Sequence, residues 1–133
     1  MDKIKEITKE RCMEMILNKF PDFIRNWEKY IDEWQNVSPG FTIDMCEFAE
    51  YVVNSIQQER EIELDRVFQL VEYFIISGDE EVKNAVATGF LEYILNATSR
   101  RIDPSSFVPF MGESSKNFCR EWDKLNGVKT KGL

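Results

Sequence analysis

Histidine is absent from the 133 residues of this chain, and its absence excludes much enzyme chemistry. Imidazole is the usual general base near neutral pH and the commonest neutral metal ligand. Ser-His-Asp catalysis, Cys-His catalysis and histidine-bearing zinc sites are therefore excluded. Di-iron helical bundles need Glu-x-x-His pairs, and the spacing of an EF-hand calcium loop is missing as well. We expect a protein that is not an enzyme and that holds no metal and no cofactor.

Cysteine and long apolar runs are also scarce. Cys12, Cys46 and Cys119 are far apart and show no CxxC spacing, so we expect reduced thiols that act as small apolar side chains. No apolar run is long enough to cross a bilayer, and residues 1–19 interleave charged with apolar residues instead of forming a signal-type segment. We expect a cytoplasmic protein without a membrane partner.

The length of the chain and its proportions of hydrophobic and charged residues fit one compact domain. Hydrophobic residues make up 43% and charged residues 31% of the 133 residues. A chain of this size buries enough surface to fold without a disulfide or a metal. We assign residues 1–127 to a single helical domain and predict that the tail, residues 128–133, frays because it lacks apolar periodicity.

Negative charge is concentrated in the middle of the chain. The net charge is −7, but residues 28–65 hold ten carboxylates against two cations, whereas residues 100–133 are net positive. An acidic middle is unsuited to nucleic acid, because phosphate binding requires clustered Lys or Arg, and it suits a basic protein partner. The candidate partner-binding residues are Asp32, Glu33, Glu47, Glu50, Glu59, Glu61, Glu63, Glu80 and Glu81. The same charges on a solvated face would also serve solubility alone.

Helical spacing of apolar residues predicts an all-α domain of five to six helices. A first helix over residues 4–18 ends near Asn18 or Lys19, because Pro21 follows. Asp22 is a candidate N-cap or first-turn acid for a second helix. That helix carries an aromatic stripe that we expect to be largely buried: Phe23, Trp27, Tyr30 and Trp34.

The third helix follows a turn signal at residues 38–40. Residues 44–47 have the spacing of a capping box that opens this helix. Its apolar face comprises Met45, Phe48, Ala49, Val52, Val53 and Ile56. The polar run 57–63 is compatible with a loop or with continuation of the helix.

The second half of the chain contains three further helical segments. One runs from Leu64 to a C-cap at Gly78, and the next runs from an N-cap at Asp79 to Asn96, with Gly89 permitting close approach of a neighbour. Together they predict an antiparallel αα-hairpin that is similar to one HEAT-like unit. A single unit is no evidence for a solenoid.

The last helix is predicted from about Ser114 to Gly127, after a short turn that opens at Asp103-Pro104. We expect four aromatic residues to close the core against the hairpin: Phe107, Phe110, Phe118 and Trp122. Leu125 continues the apolar face of this helix. Arg100-Arg101 is interpreted as a countercharge to a helix dipole, with phosphate binding as the alternative.

Residues 64–125 resemble a family of small all-helical bacterial proteins. The resemblance is carried by the GDEEV string at residues 78–82, GFLEYILN at 89–96, FVPFMGESSK at 107–116, and Trp122. Such proteins are associated with polymorphic or contact-dependent toxins, beside which immunity proteins are encoded. The resemblance therefore implies an immunity protein that binds and neutralises a cognate toxin domain in the bacterial cytoplasm. It fixes no toxin-contacting residue and no oligomeric state, and the alternative is a helical adaptor or scaffold domain unrelated to toxins.

Overall fold

The computed structural model describes residues 5–60 and 62–133, and this part of the chain is all-helical. It folds as one compact domain with seven α-helices and no extended strand. Within residues 5–60 and 62–133, no helix combines the length and the apolar character that a membrane span requires. The helices are α1 (Lys9–Lys19), α2 (Ile24–Glu33), α3 (Phe41–Gln57), α4 (Leu64–Ser77), α5 (Glu80–Ala85), α6 (Glu92–Ala97) and α7 (Glu113–Asn126).

The first helix ends where the sequence predicts but begins later. Thr8 is the N-cap of α1 and accepts a hydrogen bond from the Arg11 N–H. Ile7 precedes the cap and pairs in extended conformation with the turn between α4 and α5: its N–H donates to the Ser77 carbonyl and its carbonyl accepts from the Asp79 N–H, both at 2.9 Å. Ile7 is therefore held by the α4–α5 turn. Residues 1–4 lie outside the described part of the chain.

The aromatic stripe on the second helix is only partly buried, contrary to expectation. Residues 21–23 form a short 3₁₀ turn, so Asp22 does not cap α2. Phe23 and Tyr30 are buried, Trp27 packs partly against the core, and Trp34 is 48% exposed. Trp34 escapes burial because α2 ends at Glu33 and the chain turns away through Gln35 and Asn36, both with positive φ.

The third helix begins three residues earlier than the predicted capping box. At the turn predicted for residues 38–40 the chain bends at Pro39, and Gly40 adopts a φ of 130°, which a residue with a side chain rarely accepts. The helix starts at Phe41, so Asp44 lies inside it and is buried. The predicted apolar face is confirmed, with Ile56 only partly buried. After Gln57 the described residues form a turn and a loop, so the helix does not continue through residues 58–60. Glu61 lies outside the described part of the chain.

The fourth helix and the start of the fifth match their predictions. Gly78 follows the end of α4, and the Asp79 carboxylate accepts a hydrogen bond from the Val82 N–H at 2.9 Å. Residues 86–91 then form a π-helical turn between α5 and α6. Gly89 in this turn lies against α3, since a Cβ there would meet the Thr42 carbonyl oxygen at 2.4 Å. The close approach expected at Gly89 is thus present.

The seventh helix matches its predicted bounds but presents a different face to the core. Gly127 ends it in the left-handed conformation. The buried residues of α7 are Ser115, Cys119 and Asp123, whereas Leu125 is 86% exposed. Two of these buried residues are polar, which apolar periodicity does not predict, and both are held by hydrogen bonds to other segments.

The tail does not fray in the structure. It folds back on α7, where the Asp123 carboxylate accepts hydrogen bonds from the Thr130 N–H at 2.7 Å and the Thr130 hydroxyl at 2.9 Å. Thr130 is buried, and Leu133 packs partly against the core. A hydrogen-bonded polar anchor therefore orders a segment that has no apolar pattern.

The centre of the core is a connected chain of phenylalanine rings. Successive ring centroids lie 5.3 to 6.1 Å apart along Phe23, Phe48, Phe90, Phe68 and Phe107. This chain joins the aromatic residues of the N-terminal half to those that follow α6. Of the four residues predicted to close the core, Phe107 is buried and Phe118 and Trp122 are partly buried, but Phe110 is 44% exposed.

Candidate functional site

The described members of the nine predicted partner-binding carboxylates are distributed over several elements of the fold. Glu80 and Glu81 lie in the first turn of α5, and Glu81 is 3.7 Å from the Lys9 ammonium. Glu63 precedes α4 and pairs with Arg66 at 3.0 Å. Glu59 occupies the turn after α3, and Glu61 lies outside the described residues.

Glu50 is a structural residue. Its two carboxylate oxygens accept hydrogen bonds from Arg101 at 2.7 and 3.1 Å, and the Tyr93 hydroxyl also donates to it. Arg101 donates to the Gln57 side-chain carbonyl as well. This cluster ties α3 to the segment after α6, so the Glu50 carboxylate is already paired with a cation of the same chain, and the roles predicted for Glu50 and Arg101 stay predictions.

The pKa values in this cluster follow from its hydrogen bonds. The hydrogen bond from Arg101 lowers the pKa of Glu50, against the opposing effect of burial, and the Tyr93 hydroxyl adds to the lowering. Burial raises the pKa of Tyr93 to about 12, and the hydrogen bond to the Glu50 carboxylate contributes in the same direction. Both pKa shifts favour an ionised Glu50 carboxylate beside a neutral Tyr93 phenol.

Of the nine predicted carboxylates, three on α2 and α3 have no close cation. Asp32 and Glu33 lie in the last turn of α2, and Glu47 lies in the second turn of α3. In the described part of the chain, no lysine or arginine nitrogen lies within 4.0 Å of any of them. We call Asp32, Glu33 and Glu47 the acidic face.

The charges of the acidic face oppose local stability. Burial raises the pKa of Glu47, and the charges of Glu33 and Glu50 raise it further, while Lys29 acts in the opposite direction. Asp32 and Glu33 stand at the C-terminal end of α2, where the helix dipole is negative and cations are favoured. Neutralisation of Glu47 would therefore stabilise the fold.

A small aromatic cleft opens on the same helix. It is lined in part by Trp27 and Tyr30 of α2 and by Trp34, which follows this helix, and it has a volume of about 170 Å³. The Trp27 and Tyr30 ring centroids are 5.3 Å apart. Asp44 of α3 and the segment 36–39 also line it. We call Trp27, Tyr30, Trp34 and Asp44 the aromatic cleft.

Asp44 is held in the cleft by two hydroxyl groups. One carboxylate oxygen accepts a hydrogen bond from the Tyr30 hydroxyl at 2.6 Å, and the other accepts one from the Ser38 hydroxyl at 2.8 Å. Burial and the Asp44 carboxylate together raise the pKa of Tyr30, so the phenol stays neutral. Asp44 was not among the predicted partner-binding residues, because its spacing to Glu47 indicated a helix cap.

Metal ligation receives no support from the geometry. Across residues 5–60 and 62–133, no group of three or more Cys, Asp or Glu side chains is arranged to hold a metal ion. The three cysteines are free, with Cys12 and Cys119 buried. The absence of a cofactor and of enzyme activity stays a prediction.

The chain can be placed in a family by comparison with known proteins. Residues 13–127 match a family described as a domain of unknown function, DUF7674. The chain belongs to this family. The match spans α2 and α3 and therefore includes the acidic face and the aromatic cleft, and the family description names no activity and no partner. No curated protein and no solved structure matches the chain.

Proposed function

We propose that this DUF7674 protein acts by binding a basic protein, and that the acidic face is the surface that attracts it. The observation that carries the proposal is the position of Asp32, Glu33 and Glu47, which lack a cation within 4.0 Å in the described part of the chain. A natural sequence tends to break local stability rules where function requires it. A cationic partner would relieve the repulsion between Glu33 and Glu47.

The partner we propose is a bacterial toxin domain, with this protein as its cytoplasmic immunity protein. The resemblance of residues 64–125 to proteins encoded beside toxins motivates this choice. A carboxylate-rich surface speeds association with a basic cleft, since charges at the rim of an interface act mainly on the association rate. If the toxin is a nuclease, the same carboxylates would occupy the positions of substrate phosphates and block access to the active site.

Exposed apolar side chains next to the acidic face provide contact area for such a partner. Trp34 is 48% exposed and Val37 is 69% exposed, and both line the aromatic cleft. Buried aromatic anchors at the centre of an interface contribute most of the binding free energy. We propose that the acidic face attracts the partner and that this apolar region slows its dissociation.

The remaining part of the fold acts as a support in this proposal. We propose that α4, α5 and α6 form one antiparallel αα-hairpin of the HEAT-like type, with α3 packed against it. The contact of Gly89 with the Thr42 carbonyl fixes α3, and with it Glu47, relative to this unit. Partner binding would then occur on a rigid helix face rather than on a loop.

Binding to the proteins encoded by the neighbouring genes tests the proposal. Each purified protein is titrated against the full chain by calorimetry, and we expect one basic partner whose toxicity in growing cells is suppressed by co-expression. Neutralisation of the acidic face (Asp32→Asn, Glu33→Gln, Glu47→Gln) should weaken binding. The matched control, Glu59→Gln, Glu63→Gln and Glu80→Gln, removes the same number of charges elsewhere and should not.

Two results would overturn parts of this proposal. Equal affinity of the parent and of the chain with a neutralised acidic face would contradict binding through that face. A basic partner that is bound through the acidic face but is harmless to cells would contradict the immunity role and would favour a helical adaptor.

A further inference from the structure

The size of the aromatic cleft limits what it can bind. Its volume of about 170 Å³ is below the roughly 300 Å³ at which pockets for small-molecule ligands begin. A cleft of this size on a protein surface accommodates one side chain of a partner. Trp34, one of its lining residues, directly follows Asp32 and Glu33 in the sequence.

The carboxylate in the cleft is buried without a cation. Asp44 is 7% exposed, and its oxygens accept hydrogen bonds from the neutral hydroxyls of Tyr30 and Ser38. Within residues 5–60 and 62–133, no lysine or arginine nitrogen lies within 4.0 Å of it. A carboxylate offers about four acceptor positions, so each oxygen keeps one. Buried charges are usually paired with an opposite charge, and Asp44 is not.

The aromatic walls favour one class of cation. The faces of Trp27, Tyr30 and Trp34 carry negative electrostatic potential, which attracts a cation placed over a ring. A guanidinium is planar, stacks on aromatic faces and is less strongly hydrated than an ammonium, so its transfer from water costs less. It also donates through two parallel N–H groups, which matches the two free acceptor positions of Asp44.

We propose that the aromatic cleft binds one arginine side chain of the partner, with the guanidinium stacked on the indoles of Trp27 and Trp34 and facing the Asp44 carboxylate. This assignment rests on the proposed function only in that the arginine belongs to the basic partner. The cleft itself can be tested without the partner.

The probe is N-acetyl-arginine N-methylamide, titrated into the isotopically labelled full chain while the indole N–H resonances are followed by NMR. Trp27 and Trp34 should shift and saturate at millimolar probe. Trp122 serves as the internal control, because its indole donates to Glu92 at 2.9 Å and it does not line the cleft. The neutral citrulline analogue should leave all three resonances in place, and the lysine analogue should bind more weakly than the arginine probe.

Two variants locate the binding. Trp34→Ala should weaken binding of the arginine probe about three- to tenfold, the range of one cation–π contact. Tyr73→Ala is the matched control, because Tyr73 on α4 is 47% exposed, as Trp34 is 48% exposed. Asp44→Asn should abolish saturable binding, and since it also alters the hydrogen bond of Tyr30, Trp34→Ala provides the independent test.

Several results would overturn the arginine site. These are no shift of Trp27 and Trp34, equal shifts with the citrulline analogue, tighter binding of the lysine analogue, or an unchanged affinity in Trp34→Ala. They are distinguishable from failure of the proposed function. Suppose that the arginine probe binds as expected while neutralisation of the acidic face leaves partner binding unchanged. That result would support the arginine site in the cleft and contradict binding through the acidic face.

Discussion

The carboxylate of Glu72 on α4 caps the first turn of α7 at Ser115. One oxygen accepts hydrogen bonds from the Ser115 N–H at 2.9 Å and from the Ser115 hydroxyl at 2.8 Å, and the other accepts from the Ser114 N–H at 2.9 Å. A carboxylate at a helix N-terminus satisfies free N–H groups and interacts favourably with the helix dipole. Glu72 thereby fixes α7 to α4 across 43 residues of sequence.

Removal of this interhelical cap should destabilise the domain. We expect Glu72→Ala to lower the free energy of unfolding by about 1–2 kcal/mol, which is typical of a lost cap and a lost charged hydrogen bond. Urea denaturation followed by circular dichroism measures the change. Gln69→Ala, at an exposed position of the same helix, is the control and should stay within about 0.5 kcal/mol of the parent. A change for Glu72→Ala as small as that of Gln69→Ala would contradict the capping role.

The same carboxylate predicts a dependence of stability on pH. Burial acts to raise the pKa of Glu72, but the hydrogen bonds from Ser114 and Ser115 outweigh it and lower the pKa below the ordinary value of 4.5. A folded-state pKa below the unfolded one stabilises the fold above pH 4.5, and this stabilisation is lost as the pH falls through the folded pKa. Unfolding free energies of Glu72→Gln measured between pH 7 and pH 3 should therefore fall less steeply than those of the parent. An equal fall of the unfolding free energy in Glu72→Gln and in the parent would be inconsistent with the lowered pKa of Glu72.

Glu47 should have the opposite effect on the pH dependence of stability. Its pKa is raised, by burial first and then by Glu33 and Glu50, so its ionised form destabilises the fold above the folded pKa. That penalty disappears as the pH falls below the ordinary value of 4.5. Glu47→Gln should stabilise the domain by about 0.5–1 kcal/mol at pH 7 and have little effect at pH 4. Thermal unfolding at the two pH values checks this, and a destabilised variant at pH 7 would argue against repulsion on the acidic face.

Aromatic truncations should separate core residues from surface residues. Phe48 is fully buried and lies between Phe23 and Phe90, so Phe48→Ala should cost about 3–5 kcal/mol. Trp34→Ala should cost less than about 1 kcal/mol because Trp34 is 48% exposed. Melting temperatures of the two variants give the comparison. A loss of stability in Trp34→Ala as large as that in Phe48→Ala would contradict the open aromatic cleft.

The sequence predicted the parts of the fold that depend on local rules. The ends of α1, α4 and α7 follow from Pro21, Gly78 and Gly127, and the helical apolar face of α3 was identified correctly. The capping-box pattern at Asp44 was misleading, because a carboxylate three residues before a glutamate marks either a helix start or a buried acid. Only the hydroxyls of Tyr30 and Ser38, which reach Asp44 from other segments, distinguish the two.

Contacts between residues distant in sequence account for what could not be predicted. The acidic character of residues 28–65 was visible, but the pairing of Glu50 with Arg101 joins positions 51 residues apart. Burial of Asp123 likewise depends on Thr130, which has no apolar signal. Charge counting therefore located the acidic middle of the chain and did not show which carboxylates stay free of cations.

The most direct test of binding through the acidic face is the association rate of the full chain with its basic partner, measured by stopped-flow fluorescence at low and at physiological salt. We predict that neutralising Asp32, Glu33 and Glu47 slows association at least about tenfold at low salt and reduces its salt dependence, while the dissociation rate changes little. The control that neutralises Glu59, Glu63 and Glu80 should associate at nearly the parent rate. An unchanged association rate at low salt for the chain with a neutralised acidic face would contradict the account.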